Sequence, residues 1–427
     1  MIRTSSLYTT VAAAALVSTA LPVRAQDTPV VLRAARMLDV VSGRMIQDVR
    51  VVVEGDRITG VNPASLPAGA NVIDLGDATL LPGFIDAHTH LAGEIGANMM
   101  LEPVMETAVD AAFKATKNAR TTIMAGFTTV RDFGGDVTVG LGKAVERGDV
   151  PGPWVVPSRY SLGITGGHCD VTGYVPGVLE QSPETGVADG PWEVIEAVRY
   201  QIKHGAQVIK TCATAGVLSM EGPVGAQQYT YEELKAMVDE AARHGIRVAA
   251  HAHGTEGIKA AVRAGVASIE HGSVLDAEAI MLMKEHDTYL VPTTYLADRI
   301  ALDVLPPHIR RKAESVLPVM RESHRRAIAE GVKIAFGTDA GVYPHGENAR
   351  EFGVYVQLGM SPLDALRTAT VNAADLLGKD DRGVIAPGKL ADLVAVPGNP
   401  LEDITTTERV FFVMHGGRVV KHERPAT

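Results

Sequence analysis

Apolar, β-branched runs alternate with helix-patterned segments along most of this 427-residue chain, and several runs end in His, Lys or Asp. Asp86-Ala87-His88-Thr89-His90 closes one run, and Lys210 closes another in Val208-Ile209-Lys210-Thr211. His251 and His253 follow Val248-Ala249-Ala250, His271 follows Ser268-Ile269-Glu270, and Asp339 ends Phe336-Gly337-Thr338. Near-continuous apolar strands are the mark of a parallel sheet covered on both faces. Polar side chains at the ends of successive strands place a site at the mouth of a closed barrel. A doubly wound open sheet is the alternative, but it does not explain ligand-type residues drawn from so many strands.

Residues 83–385 hold this pattern. The candidate barrel strands end near His90, Asp132, Ser158, Thr211, His253, His271, Tyr295 and Asp339. Such a series predicts a (β/α)8 barrel, a fold that takes about 200 to over 400 residues. Helix punctuation supports it. Thr230-Tyr231-Glu232-Glu233 is a capping box, Leu234, Met237, Val238 and Ala241 form a stripe, and Gly245 stands at a stop position. Ser361 and Pro362 open another helix. Residues 26–82 and 386–427 alternate differently, with short strands such as Val49–Val53 and Val410–Met414 and turns at Gly55 and Gly416-Gly417. Two β-rich ends predict one small β-sandwich built from both termini.

Residues 1–25 are expected to be a cleaved signal peptide. Arg3 precedes the apolar stretch Val11–Leu21, and Val23-Arg24-Ala25 is a small-x-small cleavage pattern that would leave Gln26 first. An uncleaved anchor is the alternative, but the apolar stretch falls short of the about 20 residues that a spanning helix needs. The implied location is periplasmic or secreted. A net charge of -10 with no basic run argues against nucleic acid as a partner. The chain has 2 cysteines. They could pair in an exported protein, yet Cys212, two residues after Lys210 in an apolar strand, is expected to pack as a small hydrophobe.

His88 and His90 are two apart on a strand, so both side chains face one way, and imidazole suits zinc and similar divalent metals. A lone His-x-His is weak evidence; its position at a strand end among others of its kind is what gives it force. Lys210 in an apolar strand must be paired or lose its charge. It could pair with a carboxylate at the barrel mouth, act as a neutral amine, or be carboxylated to bridge two metals. His251 and His271 are candidates for a second metal, with His253 left for the substrate or for support. Asp339 could bind metal and accept a proton from water; it could equally cap a helix.

Longer motifs carry a resemblance. Pro82-Gly83-Phe84-Ile85-Asp86-Ala87-His88-Thr89-His90, Gly126-Phe127-Thr128-Thr129-Val130-Arg131-Asp132, His251-Ala252-His253-Gly254, Ile269-Glu270-His271-Gly272, Gly337-Thr338-Asp339 and Gly388-Lys389-Leu390-Ala391-Asp392-Leu393-Val394 resemble the metal-dependent amidohydrolase superfamily. Within it the chain is similar to the imidazolonepropionase-like branch that includes Xaa-Pro dipeptidases and secreted bacterial amidohydrolases that degrade ochratoxin. Thr165-Gly166-Gly167-His168 and His345-Gly346-Glu347-Asn348 fit that branch too.

The resemblance implies a barrel with a composite β-sandwich, two divalent metals (zinc by expectation), and a homo-oligomer. One metal would take His88, His90 and Asp339, the other His251 and His271, with carboxylated Lys210 as the bridge. Catalysis would rest on Asp339 for proton transfer and on His253 or Tyr229 for the oxyanion. The substrate would be a small amide or dipeptide that loses its C-terminal amino acid, ochratoxin A to phenylalanine and ochratoxin alpha included. His168, Tyr229 and His253 are the expected contacts to the leaving amino acid. Val217, Leu218, Met220, Tyr295 and Leu296 are expected to form an apolar wall. A deaminase or cyclic amidohydrolase, a lactonase, and a non-enzymatic binding protein are the competing readings.

Overall fold

The terminal segments pair with each other across the whole length of the chain. The computed structural model describes residues 28–96 and 101–423, so the expected signal segment lies outside the described residues. The N-terminal strands are β1 (Val30–Leu38), β2 (Met45–Glu54), β3 (Arg57–Val61), β4 (Asn71–Asp74) and β5 (Ala78–Pro82). The barrel strands that follow are β6 (Phe84–Thr89), β7 (Phe127–Asp132), β8 (Trp154–Pro157), β9 (Ile209–Cys212), β10 (Val248–Ala252), β11 (Ser268–His271) and β12 (Tyr289–Val291). The C-terminal strands are β13 (Leu393–Pro397), β14 (Phe412–His415) and β15 (Arg418–His422). The sandwich sheet runs β15-β14-β13-β5-β1-β2-β3, with β4 beside β1. Antiparallel pairing of Leu81 with Val394 joins the two ends of the chain. Inward residues Leu32, Val51, Leu80, Leu393 and Phe412 form its core.

The middle of the chain is a TIM barrel. β6, β7 and β8 form one parallel arc, and β9 to β12 form another. Leu162 closes one seam, its N–H donating to Lys210 O at 2.8 Å while its carbonyl accepts from Cys212 N at 2.9 Å. The other seam has no regular eighth strand. The stretch from Ile334 to Ala340 bridges to Leu290 on one side and Thr89 on the other. Gly337 explains the irregularity, because a Cβ there would lie 2.2 Å from Val291 Cγ1 and 3.0 Å from His88 Cβ. This segment passes too close to its neighbours for a side chain, and only glycine permits that approach. One expected strand end shifts: β12 stops at Val291, well before Tyr295.

The two ends of the barrel do different work. Phe84 and Phe127, the first residues of their strands, meet Phe336 and Phe352 with ring centroids 4.5 to 5.5 Å apart. All four rings are fully buried and plug the N-terminal end. Helices formed as their sequence signals require. Thr230 accepts from Glu233 N, and Glu233 reciprocates at the helix Tyr231–Arg243. Ser361 caps Pro362–Arg367 by accepting from Asp364 N. Among the described residues no helix is long and apolar enough to cross a membrane. Phe336→Ala should lower the unfolding free energy by about 3–5 kcal/mol, the usual loss for a buried phenylalanine; urea denaturation checks this, and an unchanged midpoint would refute the plug.

Candidate functional site

The C-terminal ends of the barrel strands open into a cavity of about 400 Å³. His88, His90, Lys210, His251, His253, His271 and Asp339 all line it. The strands alone would not bring these groups together. Side chains alternate faces along a strand, and Glu270 already points into the barrel, so His271 would point out. His271 instead has φ 69°, and Asp339 has φ 61°. This left-handed backbone is costly for residues with a Cβ. It turns both side chains into the mouth of the barrel.

Asp339 Oδ1 lies 3.1 Å from His90 Nε2 and 3.3 Å from His88 Nε2. Two ligand atoms on one tetrahedral zinc, each about 2.0–2.1 Å from the metal, lie about 3.3 Å apart. The spacing of Asp339 to each histidine is therefore that of two ligands on one metal. His88, His271 and Asp339 form one group whose ligand atoms lie within 4.8 Å of one another, and His251, His253 and His271 form a second. His271 belongs to both. His251 Nε2 is buried with no hydrogen-bond partner, which is costly in a protein interior unless something binds there.

Three of the imidazoles, His88, His271 and His253, are held by Nδ1. His88 Nδ1–H donates to Glu270 Oε2 at 2.8 Å, which leaves the Nε2 lone pair aimed at Asp339. Glu270 also accepts from Arg131 at 2.7 Å and from Ser268. Burial pushes this carboxyl up, but Arg131 and His88 outweigh it and hold the pKa at about 2. His271 Nδ1 meets Thr293 Oγ1 at 2.9 Å, and His253 Nδ1 meets Ser273 Oγ at 2.7 Å. Burial first, then neighbouring cationic groups, drives His251 and His271 well below the ordinary histidine value and His253 to about 3. All three are neutral, the state that binds metal.

Lys210 is buried, with Nζ 4.0 Å from the centre of the Phe133 ring. Among the described residues it forms no ion pair within 4.0 Å. Burial lowers its pKa to about 8, against the opposing pull of Glu270 and Asp339. The alternative of a carboxylate partner directly on this amine is therefore not met among the described residues. Asp86 turns away from the cavity. It accepts from His88 N, Thr338 N, Thr338 Oγ1 and Asn348 Nδ2, tying β6 to the segment that carries Asp339. No helix begins at Asp339, so it caps none; the next one starts at Arg350.

Other expected residues fall elsewhere. Tyr229 is fully buried in the core, and its hydroxyl donates to Ala188 O at 3.1 Å. It does not line the cavity. Tyr295 packs edge-on against Tyr343 and donates to Glu347 at 2.9 Å; its neighbour Leu296 takes the place at the cavity. Met220 is exposed on the far side of its loop, against His308. Val217, Leu218 and His168 do line the cavity. The facing wall comes from Ile300 and from Val316, Leu317 and Met320 of the helix Pro307–Ala329. Cys212 is not a free hydrophobe; it is bonded to Cys169. Spacing gave no warning, because 43 residues separate the two in sequence. Glu270 and Arg131 could have been suspected as charges inside apolar strands.

A barrel with a terminal sandwich and a histidine cluster suited to metal defines a barrel hydrolase. The model of the amidohydrolase family matches residues 79–420, and the chain belongs to that family. Ochratoxinase of Aspergillus niger is 34% identical over 366 residues, covering 80% of this chain and 75% of that protein. Its crystal structure superposes with TM-score 0.83 at 31% identity, over 92% of this chain and 96% of that one. A Xaa-Pro dipeptidase with bound methionine in its active site gives TM-score 0.87 at 39% identity, over 92% and 100%. A prolidase complexed with N-methylphosphonate-L-proline gives 0.86 at 36%, over 93% and 100%. The protein is a hydrolase that acts on C–N bonds. Glu270→Gln should weaken zinc binding about 10- to 100-fold, since it removes the charge that orients His88. A chelator-competition titration reads this directly, and an unaltered affinity would rule out that support.

Proposed function

We propose that this chain is a binuclear metal-dependent amidohydrolase that frees the C-terminal amino acid from N-acyl amino acids and dipeptides. The observation that carries this is the pair of ligand groups sharing His271, with Lys210 lining the same cavity. One site would take His88, His90 and Asp339, the other His251 and His271. Lys210 fits a carbamate bridge, because burial favours its neutral amine and no carboxylate neutralises it in place. Bound divalent metals, zinc by the nitrogen-rich ligand set, would polarise an amide carbonyl and acidify a water.

The chain's own groups do the rest. Burial pushes the Asp339 carboxyl up, but His88 and His90 outweigh it and keep it ionised. It takes a proton at its carboxylate and returns it to the leaving nitrogen. His253, neutral and set by Ser273, presents Nε2 to the carbonyl oxygen as negative charge develops. His168 contacts the leaving amino acid. The wall of Val217, Leu218, Leu296 and Ile300 excludes water and suits an aromatic or proline side chain. Similarity to ochratoxinase supports aromatic amides such as ochratoxin A as substrates. The apolar leader and the Cys169–Cys212 disulfide support export to an oxidising compartment, with Gln26 as first residue.

Mass analysis of products from N-acyl amino acids, dipeptides, cyclic amides and lactones tests the reaction. Release of free amino acids is expected; ammonia or lactone opening as the main product would displace this reading. Lys210→Ala should retain one metal per chain in place of two and lose at least about 100-fold in kcat/KM; full activity with both metals bound would exclude its bridging role. Carbamate formation needs the neutral amine, whose fraction grows as pH rises through about 8. Zinc and bicarbonate should therefore restore metal-stripped protein faster at about pH 9 than at about pH 6.5, at equal dissolved carbon dioxide. Equal rates would count against carboxylation. N-terminal sequencing of the exported protein checks Gln26.

A further inference from the structure

His168 lies on a segment with little regular structure, yet it is fixed at every point. Its backbone N–H donates to Gln228 Oε1 at 3.1 Å. Its neighbour Cys169 is bonded to Cys212 on β9, two residues from Lys210. One face of its ring lies on His251, with centroids 4.2 Å apart and planes 31° apart. The other contact is Gly216, where a Cβ would fall 2.2 Å from His168 Cε1. Only glycine leaves room for the ring there.

The ring's rotation is fixed as well. The Ser219 hydroxyl donates to Glu221 Oε1, so it accepts from His168 Nδ1–H. Glu221 Oε1 itself lies 3.4 Å from that nitrogen and also accepts from Gly216 N at 3.0 Å. Lys312 anchors this turn from the helix Pro307–Ala329, donating to Ser219 O at 2.9 Å and Glu221 O at 3.0 Å. Glu221 is costly to hold there. Its side chain is 8% exposed and its Oε2 is buried without a partner. A loop that needed only to be stable would not bury a half-satisfied carboxylate. The arrangement leaves His168 Nε2 for the cavity that the ring lines.

We propose that the Cys169–Cys212 disulfide and Glu221 are positioning elements that clamp His168 as the seat for the substrate's terminal carboxylate. This rests on the reading of the substrate as an acyl amino acid. The disulfide fixes the backbone beside the histidine, and the Ser219–Glu221 pair fixes its rotamer. Neither group touches the reacting atoms.

The test uses the full-length, zinc-loaded protein and two probes, L-phenylalanine and L-phenylalaninamide, titrated by calorimetry. The wild type should bind the acid more tightly than the amide. Cys169→Ala and Glu221→Ala should each cut that preference about tenfold, the scale of one lost hydrogen bond. Metal content should stay at the wild-type value, and affinity for the amide should change little. If Cys169→Ala fails to fold, Glu221→Ala decides, with Glu221→Gln restoring part of the preference. No acid preference in the wild type, or the same loss for both probes, overturns the clamp. Failure to release amino acids from the substrate panel overturns the parent reading separately, since binding here is read without turnover.

Discussion

The buried Glu270 carboxylate is the group on which the geometry of the site depends. It lies inside the barrel between β7 and β6, held by Arg131 and Ser268 on one side and by His88 on the other. Burying one such charge is expensive, and a partner with matched geometry is what makes it tolerable. The result is an imidazole with one tautomer and one orientation. Because His88 Nε2 then faces Asp339, a charge deep in the barrel sets the direction of a ligand at its mouth. The expense also has a structural consequence. Arg131 and Glu270 come from distant parts of the chain, so the pair forms only when the two parallel arcs close into one barrel.

Closure in turn relies on departures from regular structure. An ideal eighth strand would send Asp339 to a fixed face at a fixed height. The chain instead uses Gly337 to pass close to Val291 and His88, and then a left-handed turn at Asp339. His271 repeats the device at the end of β11. Strain of this kind persists only where surrounding structure over-determines it. Here Asp86 supplies part of that restraint, since its carboxyl, pushed up to about 7 by burial, grips Thr338 and Asn348 together with the backbone of His88. The plugged aromatic end of the barrel supplies a rigid base, and the mouth is left to be shaped by loops and short hydrogen-bonded turns. That division is the usual one in this fold.

The cavity joins two environments. One wall is polar and rich in imidazole nitrogens, with Asp339 and Lys210 among them; the other is aliphatic and comes from the loop around Val217 and the helix Pro307–Ala329. Such a pairing suits a molecule with a polar amide and a bulky apolar group on either side of it. Tyr229 and Tyr295 lie outside this cavity, the first in the barrel core and the second against Tyr343, and Leu296 lines it in their stead.

Period and punctuation in the sequence determined the elements. Apolar runs of strand length, separated by capped helices, dictate a parallel barrel, and alternation at both ends dictates a sheet they share. The sequence also determined which residues of the right chemistry stand at strand ends, because His88, His90, Lys210, His251 and His271 each stand at the end of an apolar run of strand length, while the run before Asp339 became an irregular segment. Tertiary structure decided what those residues face. Register, the left-handed turns at His271 and Asp339, the Cys169–Cys212 bond and the removal of Tyr229 and Tyr295 from the cavity all depend on contacts between segments far apart in the chain. Local pattern carries the periodicity of a single element, but the direction of a side chain at the end of a strand is set by what packs against it, and that exists only after the barrel has closed.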